Sequence, residues 1–524
     1  INENGVWSNA PGRVRTFQWN GAHWTKRGVG DAYEIMGDLS IEAYQFGGFG
    51  FTLSADGSRI AIGAPRTAST RDAARVYKGY AQTFEWSGTN WDKLGSPIMG
   101  QHAYQRMGQH AALSSDGMTL AIGADGSVST NSGGFVDVYV WNDGASPTPD
   151  WEYVTKLTEN TSYTSHTDKD FGRTVSISSN GAIIVTGSGY GADVGYVRAF
   201  ERVDHASPPA LPPSPWPPGM APLPPPPLSP PPPPPSLPPP PPPSPPPFHL
   251  TASNYTQLGS SINGDQTNGG SGHSLALSAD GLILAVGSPY RDRLSPAPAL
   301  TGAGQVSVFA HVGHSWTQLG VDIYGDGAHD NFGWSVDLSA DGLKLVVGAH
   351  EDASGKGYAA VYEYDAVNTV WLLSGTGNPQ TGVYNNDKFG TSVAMSADGE
   401  TFAVGATYHD TYKGLVRVFN NAGVGGWNQK GNDIYGDKGG GEVNGDWHGA
   451  SVALSSDGRV LAVGATYADS DTITTAGRVR VYEYDAYSDP NNQWIQMGND
   501  IYGLTSGDRD GYERCVALSA DGLT

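Results

Sequence analysis

The sequence predicts an all-β chain in which one unit of antiparallel strands repeats around a closed ring. Three observations predict it. A turn of the form Ser-(Ala/Ser)-Asp-Gly recurs, its Asp or Asn falling at Asp56, Asp116, Asn180, Asp280, Asp341, Asp398, Asp457 and Asp521. Most copies stand about 60 residues apart, a period that marks radially repeated β structure. Glycine makes up 72 of the 524 residues, as turn-dense β structure requires. One step, from Asn180 to Asp280, is 100 residues long and contains 208–247, a 40-residue stretch made mostly of proline. That tract therefore reads as an insertion into one repeat and not as a linker between two domains.

Each repeat reads as four strands. The first alternates, as in Ser335-Val336-Asp337-Leu338, and places its apolar residues on one face. It ends in the Asp-Gly turn, where Gly accepts a positive φ. The second is a nearly continuous apolar run such as Leu461–Ala465, suited to burial on both faces. The third alternates again, as in Gly477–Tyr484, with relatives at Gly12–Trp19, Gly134–Trp141, Gly304–Phe309 and Gly414–Phe419. The fourth carries Trp-x-Gln-x-Gly, as at 316–320 and 494–498, and Asp-Ile-Tyr-Gly follows it at 322–325, 433–436 and 500–503. Four antiparallel strands per repeat of this length make one propeller blade.

Counting half-blades gives the closure. Pairs of third and fourth strands begin at Gly12 and Trp24, before any first hairpin, and the last hairpin, Cys515–Thr524, lacks them. The expectation is a single eight-bladed β-propeller closed by mixing N- and C-terminal strands, with seven blades as the alternative. Residues 1–207 form its first part (a half blade plus blades 1–3). Residues 208–247 form the insertion, and 248–524 complete blade 3, add blades 4–7 and start the closing blade. The chain begins at Ile1 and its last copy stops within the repeat, so a window of a longer or processed polypeptide is expected.

Phe46-Gly47 with Gly63-Ala64-Pro65, Phe171-Gly172, Phe332-Gly333 and Phe389-Gly390 resemble the FG-GAP repeat of integrin-α-type propellers. Copies drift at Met107-Gly108, His448-Gly449 and Gly187-Ser188. The resemblance implies the propeller fold but no single function, because the family includes receptor ectodomains, adhesins and lipase-associated domains. Some of its blades hold calcium in a loop rich in Asp. Each turn here keeps one carboxylate, whereas calcium takes six to eight oxygens. No cofactor and no metal are expected. Asp56, Asp341 and Asp457 read as turn formers, and Glu351-Asp352, Asp469-Ser470-Asp471 and Asp508-Arg509-Asp510 as solvated loops.

The proline tract is expected to adopt polyproline II, because consecutive prolines can join neither a ladder nor a helix interior. Forty residues at ~3.1 Å each reach about 120 Å. Its proline runs punctuated by Ser229, Ser236 and Ser244 resemble hydroxyproline-rich glycoproteins of algal and plant walls and flagellar surfaces. That resemblance implies hydroxylation and O-glycosylation at Pro230, Pro231, Pro232, Pro233, Pro234, Pro235, Pro238, Pro239, Pro240, Pro241, Pro242, Pro243, Pro245, Pro246 and Pro247. Asn160-Thr-Ser and Asn254-Tyr-Thr are N-glycosylation sequons.

Net charge is −22 without basic clusters, which disfavours nucleic acid as a partner. No apolar run approaches the ~20 residues that span a bilayer. The single cysteine, Cys515, reads as a small buried hydrophobe. Histidines lack His-Glu-x-x-His spacing and no Gly-x-Ser-x-Gly elbow precedes a helix, so no catalytic residues are expected. Trp24, Trp91, Trp316, Trp427 and Trp494 recur at one position, as do Phe46, Phe171, Phe332 and Phe389, and read as packing. Tyr290, Tyr408 and Tyr467 follow the second strand, in loops that in the resembled family open on the ligand-binding face, and are candidates for sugar stacking or protein contact. The resulting expectation is a non-enzymatic, secreted structural glycoprotein of a fibril, wall or flagellar surface. Its partners would be its own copies or other matrix glycoproteins. The alternative is an adhesin or receptor ectodomain.

Overall fold

A computed structural model describes residues 13–22, 24–28, 34–36, 43–44, 50–67, 78–101, 105–124, 134–144, 149–158, 171–188, 194–203, 254–295, 299–352, 354–423, 426–440, 445–470, 472–488, 493–502 and 516–524. Among them seven sheets each have four antiparallel strands in the spatial order first-second-third-fourth. They span 51–99, 107–158, 174–257, 274–318, 335–373, 389–429 and 448–496. The innermost strands of consecutive sheets pack on one another around a common axis. The chain is a β-propeller.

The Asp-Gly turn explains each first hairpin. Ser339 Oγ donates to Asp341 Oδ1 at 2.5 Å, the same carboxylate oxygen accepts Leu343 N–H at 3.0 Å, and Lys344 N–H donates to Ser339 Oγ at 3.0 Å. Gly342 follows at φ +71, while Asp341 keeps a negative φ. The turn is thus four residues closed by Gly342 N–H to Ser339 C=O at 2.9 Å, not a two-residue Asp-Gly turn. Ser278–Asp280, Ser396–Asp398, Ser455–Asp457 and Ser519–Asp521 repeat the bond. One oxygen of each of these carboxylates is thus bonded inside its own turn, in keeping with the turn-former reading.

The turns are also joined to each other. Ala55 N–H donates to Ser115 C=O, Ser115 to Ser179, Ser179 to Ala279, Ala279 to Ala340, Ala340 to Ala397, Ala397 to Ser456, Ser456 to Ala520, and Ala520 back to Ala55, at 2.8–3.0 Å. Eight turns therefore form one closed cycle of backbone hydrogen bonds at one end of the axis.

The two ends of the chain meet in that ring. Phe17–Trp19 pairs with Trp24–Lys26, and Arg13–Arg15 with Glu34–Met36. Trp19 N–H donates to Leu523 C=O at 3.1 Å, just as Tyr364 donates to Leu343 and Tyr484 to Arg459 within complete sheets. Arg27 bonds both the Gly57 carbonyl and Thr524 Oγ1, and its guanidinium lies 4.8 Å over Trp86.

Asp-Ile-Tyr-Gly is a strand and not merely a tail. Ile323–Tyr324, Ile434–Tyr435 and Ile501–Tyr502 pair with the start of the third strand of their own sheet. Its Asp holds that strand's outward side chain: Asp433 with Arg417 at 2.8 Å, Asp500 with Arg480 at 2.7 Å, and Asp322 with Ser307 at 2.7 Å. In the sheet of 51–99 a single bulged strand, Trp91–Met99, does the work of both.

The core lies between neighbouring sheets. Phe171, Phe332 and Phe389 are fully buried, and each stabilises by about 1.5–3 kcal/mol through removal from water. Trp494 Nε1 donates to the Lys430 carbonyl of the preceding sheet at 2.6 Å, and Trp371 to Leu319 at 2.8 Å. Trp91 and Trp427 are buried at the same place, so the recurrent tryptophans do pack between sheets. Phe46 and Cys515 lie outside the described residues.

Candidate functional site

The second strand leaves each sheet opposite the ring of turns, and this end carries the candidate tyrosines. Tyr408 N–H donates to Asp387 C=O at 3.1 Å, Tyr467 to Asp446 at 3.1 Å and Tyr290 to Gly269 at 3.2 Å. One repeated backbone contact therefore pins all three.

Tyr408 and Tyr467 converge on one aromatic platform that includes two residues the sequence reading did not single out. After Tyr408 the chain passes through Asp410, Thr411 and Tyr412 at φ 48, 58 and 69, three consecutive left-handed residues. This reversal lays the Tyr412 ring 4.4 Å from Tyr408. Trp447 comes from the next sheet, also left-handed at φ 56. Its ring is 5.6 Å from Tyr412 and nearly parallel to it, 5.1 Å from Tyr408 and 5.0 Å from Tyr467. All four rings are partly exposed. Three left-handed residues in succession at Asp410–Tyr412 carry strain of the kind that clusters at functional sites. A row of partly exposed rings offers flat apolar faces with hydroxyls at their edges, suited to sugar rings or to a partner's side chains.

Tyr290 stands apart. It lies 6.1 Å from His273 and 6.4 Å from Trp334, whose ring is 4.1 Å from His350. With Asn268, Asp292, His329 and Asn331 it lines a cleft of about 530 Å³. Burial, helped by the Lys388 charge, lowers the His350 imidazole to about 3, so it packs there as a neutral ring.

A repeated buried carboxylate braces these loops, and its signal is Asp two residues before Phe-Gly or His-Gly. Asp387 Oδ2 accepts the N–H groups of Val383 and Tyr384 at 2.8 Å and lies 3.0 Å from His409 Nδ1. Asp330 accepts Gly327 N–H and the Tyr358 hydroxyl. Asp446 accepts Asp437 N–H at 2.7 Å and Arg478 at 3.0 Å. All three are nearly inaccessible. The loop acids Asp352 and Asp469 likewise bind local partners, namely Ser354 and Lys356 N–H groups for the first and Lys438 for the second.

Asn160 and all the candidate prolines lie outside the described residues. Asn254 begins the strand Asn254–Gln257 and pairs in register with Val203. No helix among the described residues is long and apolar enough to cross a membrane.

Comparison with protein families matches residues 324–363 to the FG-GAP repeat. No curated protein matches the chain. Among solved structures, Sqt1 of Saccharomyces cerevisiae is 10% identical over 88% of this chain and 86% of its own, with a TM-score of 0.49. Sqt1 of Chaetomium thermophilum is 14% identical over 88% and 89%, with a TM-score of 0.48. A putative 6-phosphogluconolactonase of Bacteroides uniformis is 12% identical over 81% and 92%, with a TM-score of 0.41. This chain is thus similar to FG-GAP repeats over one stretch and to these structures in outline.

Proposed function

We propose that the chain is the non-enzymatic propeller unit of an extracellular glycoprotein assembly, with a hydroxyproline-rich, glycosylated rod leaving one blade hairpin. The pairing of Val203 with Asn254 carries this reading. The third strand Tyr196–Val203 and the fourth strand Asn254–Gln257 are neighbours, so everything between them departs from and returns to one point on the rim. The closed cycle of eight turn hydrogen bonds and the Trp19–Leu523 bond support eight blades closed by the two ends. Residues 1–207 and 248–524 are then two parts of one ring, and 208–247 is the rod. Mass spectrometry of peptides from 224–247, taken from the native source, tests the proposal. Hydroxylation with pentose or hexose increments is expected, and bare prolines would sink it.

The aromatic platform favours a second reading, an adhesin or receptor ectodomain that takes a glycan on Tyr408, Tyr412, Trp447 and Tyr467. An array of wall-type oligosaccharides probed with the full chain tests it. Signal that is lost in Trp447→Asn supports this reading; signal indifferent to that change assigns the binding elsewhere.

A further inference from the structure

The rim of the propeller holds a side-chain cluster that neither reading uses. Glu201 lies near the end of the third strand Tyr196–Val203, two residues before the chain leaves for the proline-rich insertion. His311 and His314 belong to the hairpin of the following sheet, Gln305–Val312 and Ser315–Gln318. One carboxylate oxygen and one nitrogen from each imidazole lie within 4.8 Å of one another. His314 Nδ1 is 3.3 Å from Glu201 Oε2.

Two further observations set this cluster apart from a rim ion pair. Neither ring nitrogen of His311 has a hydrogen-bond partner, although both are shut off from solvent. Buried imidazole nitrogens normally find one, and an orphan pair calls for an explanation. His314 stands at φ +67 in the two-residue turn Gly313-His314, a position that favours glycine or asparagine. The turn accepts that cost while its imidazole faces a carboxylate on the neighbouring sheet.

We propose that Glu201, His311 and His314 form a divalent transition-metal site of the zinc class that clips the sheet bearing the proline-rich insertion to its neighbour. Two imidazoles and one carboxylate suit zinc or its first-row neighbours and not calcium or magnesium, which take oxygen ligands. Bond lengths of ~2.0–2.2 Å to nitrogen and oxygen require ligand atoms ~3.3 Å apart in a tetrahedron. The Glu201–His314 pair already meets this spacing, and the His311 nitrogen, within 4.8 Å of both, completes the set when the Glu201 and His314 side chains shift together towards it. Water fills the fourth position on the open rim. The clip sits where a long extended insertion would pull on one hairpin, and it ties that hairpin's strand to the next blade. No linear spacing announces the site, because Glu201 and His314 are 113 residues apart.

The full chain, stripped with EDTA and titrated with zinc chloride, tests this by calorimetry and thermal melting. One equivalent of zinc is expected to bind and to raise Tm, because a ligand bound only by the folded state stabilises it. Cobalt(II) in its place should give visible d–d absorption. His314→Ala and Glu201→Gln should each weaken zinc binding by at least about tenfold, a loss that even an outer-shell partner can cause, and melt like the EDTA-treated wild type. Both changes lie at the rim, so intrinsic tryptophan emission should report an unchanged fold. Failure of the wild type to take up one equivalent, or uptake unchanged in either variant, overturns the proposal.

Discussion

The carbonyl oxygen of Gly449 lies 2.0 Å from the place a Cβ on Gly405 would occupy. Gly405 belongs to the Gly-Ala end of one second strand and Gly449 to the His-Gly start of the next first strand. The same approach recurs between Gly63 and Gly108 at 2.0 Å, Gly123 and Gly172 at 2.0 Å, and Gly348 and Gly390 at 2.2 Å. The two halves of the repeat signature are therefore one contact between adjacent blades, where backbone meets backbone and neither side has room for a methyl group. Gly405→Ala should destabilise the chain by about 3 kcal/mol, in the range of overpacked cores, although alanine in a strand otherwise lowers unfolded-state entropy. Chemical denaturation reads this directly, and a change under about 0.5 kcal/mol would refute the contact.

Much of this ring was legible because its rules are local. Ser-Ala-Asp-Gly encodes a turn by hydrogen bonds within six residues, and Leu-Ala-Val-Gly-Ala encodes a buried strand by composition. What escaped depends on contacts between residues far apart in sequence. Asp330, Asp387 and Asp446 are not singled out by the sequence, because nothing nearby in it shows that Tyr358, His409 and Arg478 will meet them. Trp447 is not singled out by the sequence either, although it lies directly between Tyr408 and Tyr467 once two sheets are placed side by side. Tyr290 shares the repeat position of those two, yet the ring carries it to a different cleft.

His448 occupies the phenylalanine place of its repeat, fully buried, with neither ring nitrogen bonded. Burial first, and then the charges of Arg478 and Arg480, hold its imidazole far below the ordinary range. The folded state keeps it neutral, while the unfolded chain protonates it below pH ~6.5. Its contribution is thus intact above that pH and is lost on acidification at ~1.4 kcal/mol per pH unit. His448→Phe should remove this loss and also raise stability at pH 7 by about 1–2 kcal/mol, the cost of an unmet buried polar group. Melting at pH 7 and pH 5 checks both signs. A variant as acid-sensitive as the wild type would show that His448 is not the titrating group.

Arg478 is buried against the equally buried Asp446 at 3.0 Å and reaches Asp437, which Arg480 also binds at 2.6 Å. Removing one partner of such a pair leaves an uncompensated charge, so Arg478→Met should cost about 3–5 kcal/mol. Asp500 shares the network. Burial alone would raise its carboxyl, but the two-pronged bond from Arg480 and the nearby Arg478 charge outweigh it and hold the carboxyl at about 2. A depressed carboxyl stabilises above its unfolded value near 3.9 and loses that contribution as pH falls towards 2. The contribution at neutral pH is about 2 kcal/mol. Asp500→Asn should therefore flatten the stability profile between pH 4 and 2, and an unchanged profile would assign the acid transition to other carboxylates.

Trp447 can be separated from the fold it sits on. It precedes His448 at φ 56, and the residues that precede Met107, Phe332 and Phe389 adopt the same conformation, as Arg106 at φ 52, Asn331 at φ 55 and Lys388 at φ 57. The backbone of the repeat thus demands a left-handed residue there but not an aromatic one. Asparagine tolerates that conformation better than tryptophan, so Trp447→Asn should keep stability within about 1 kcal/mol of wild type, the lost ring contacts offset by relief of strain. The same change strips the centre from the platform of Tyr408, Tyr412 and Tyr467, and any glycan held there should bind at least about tenfold more weakly, equivalent to ~1.4 kcal/mol. Melting and oligosaccharide binding measured on one preparation distinguish the two roles. A large loss of stability would make Trp447 a packing residue like Trp494, and intact fold with intact binding would place the ligand off the platform.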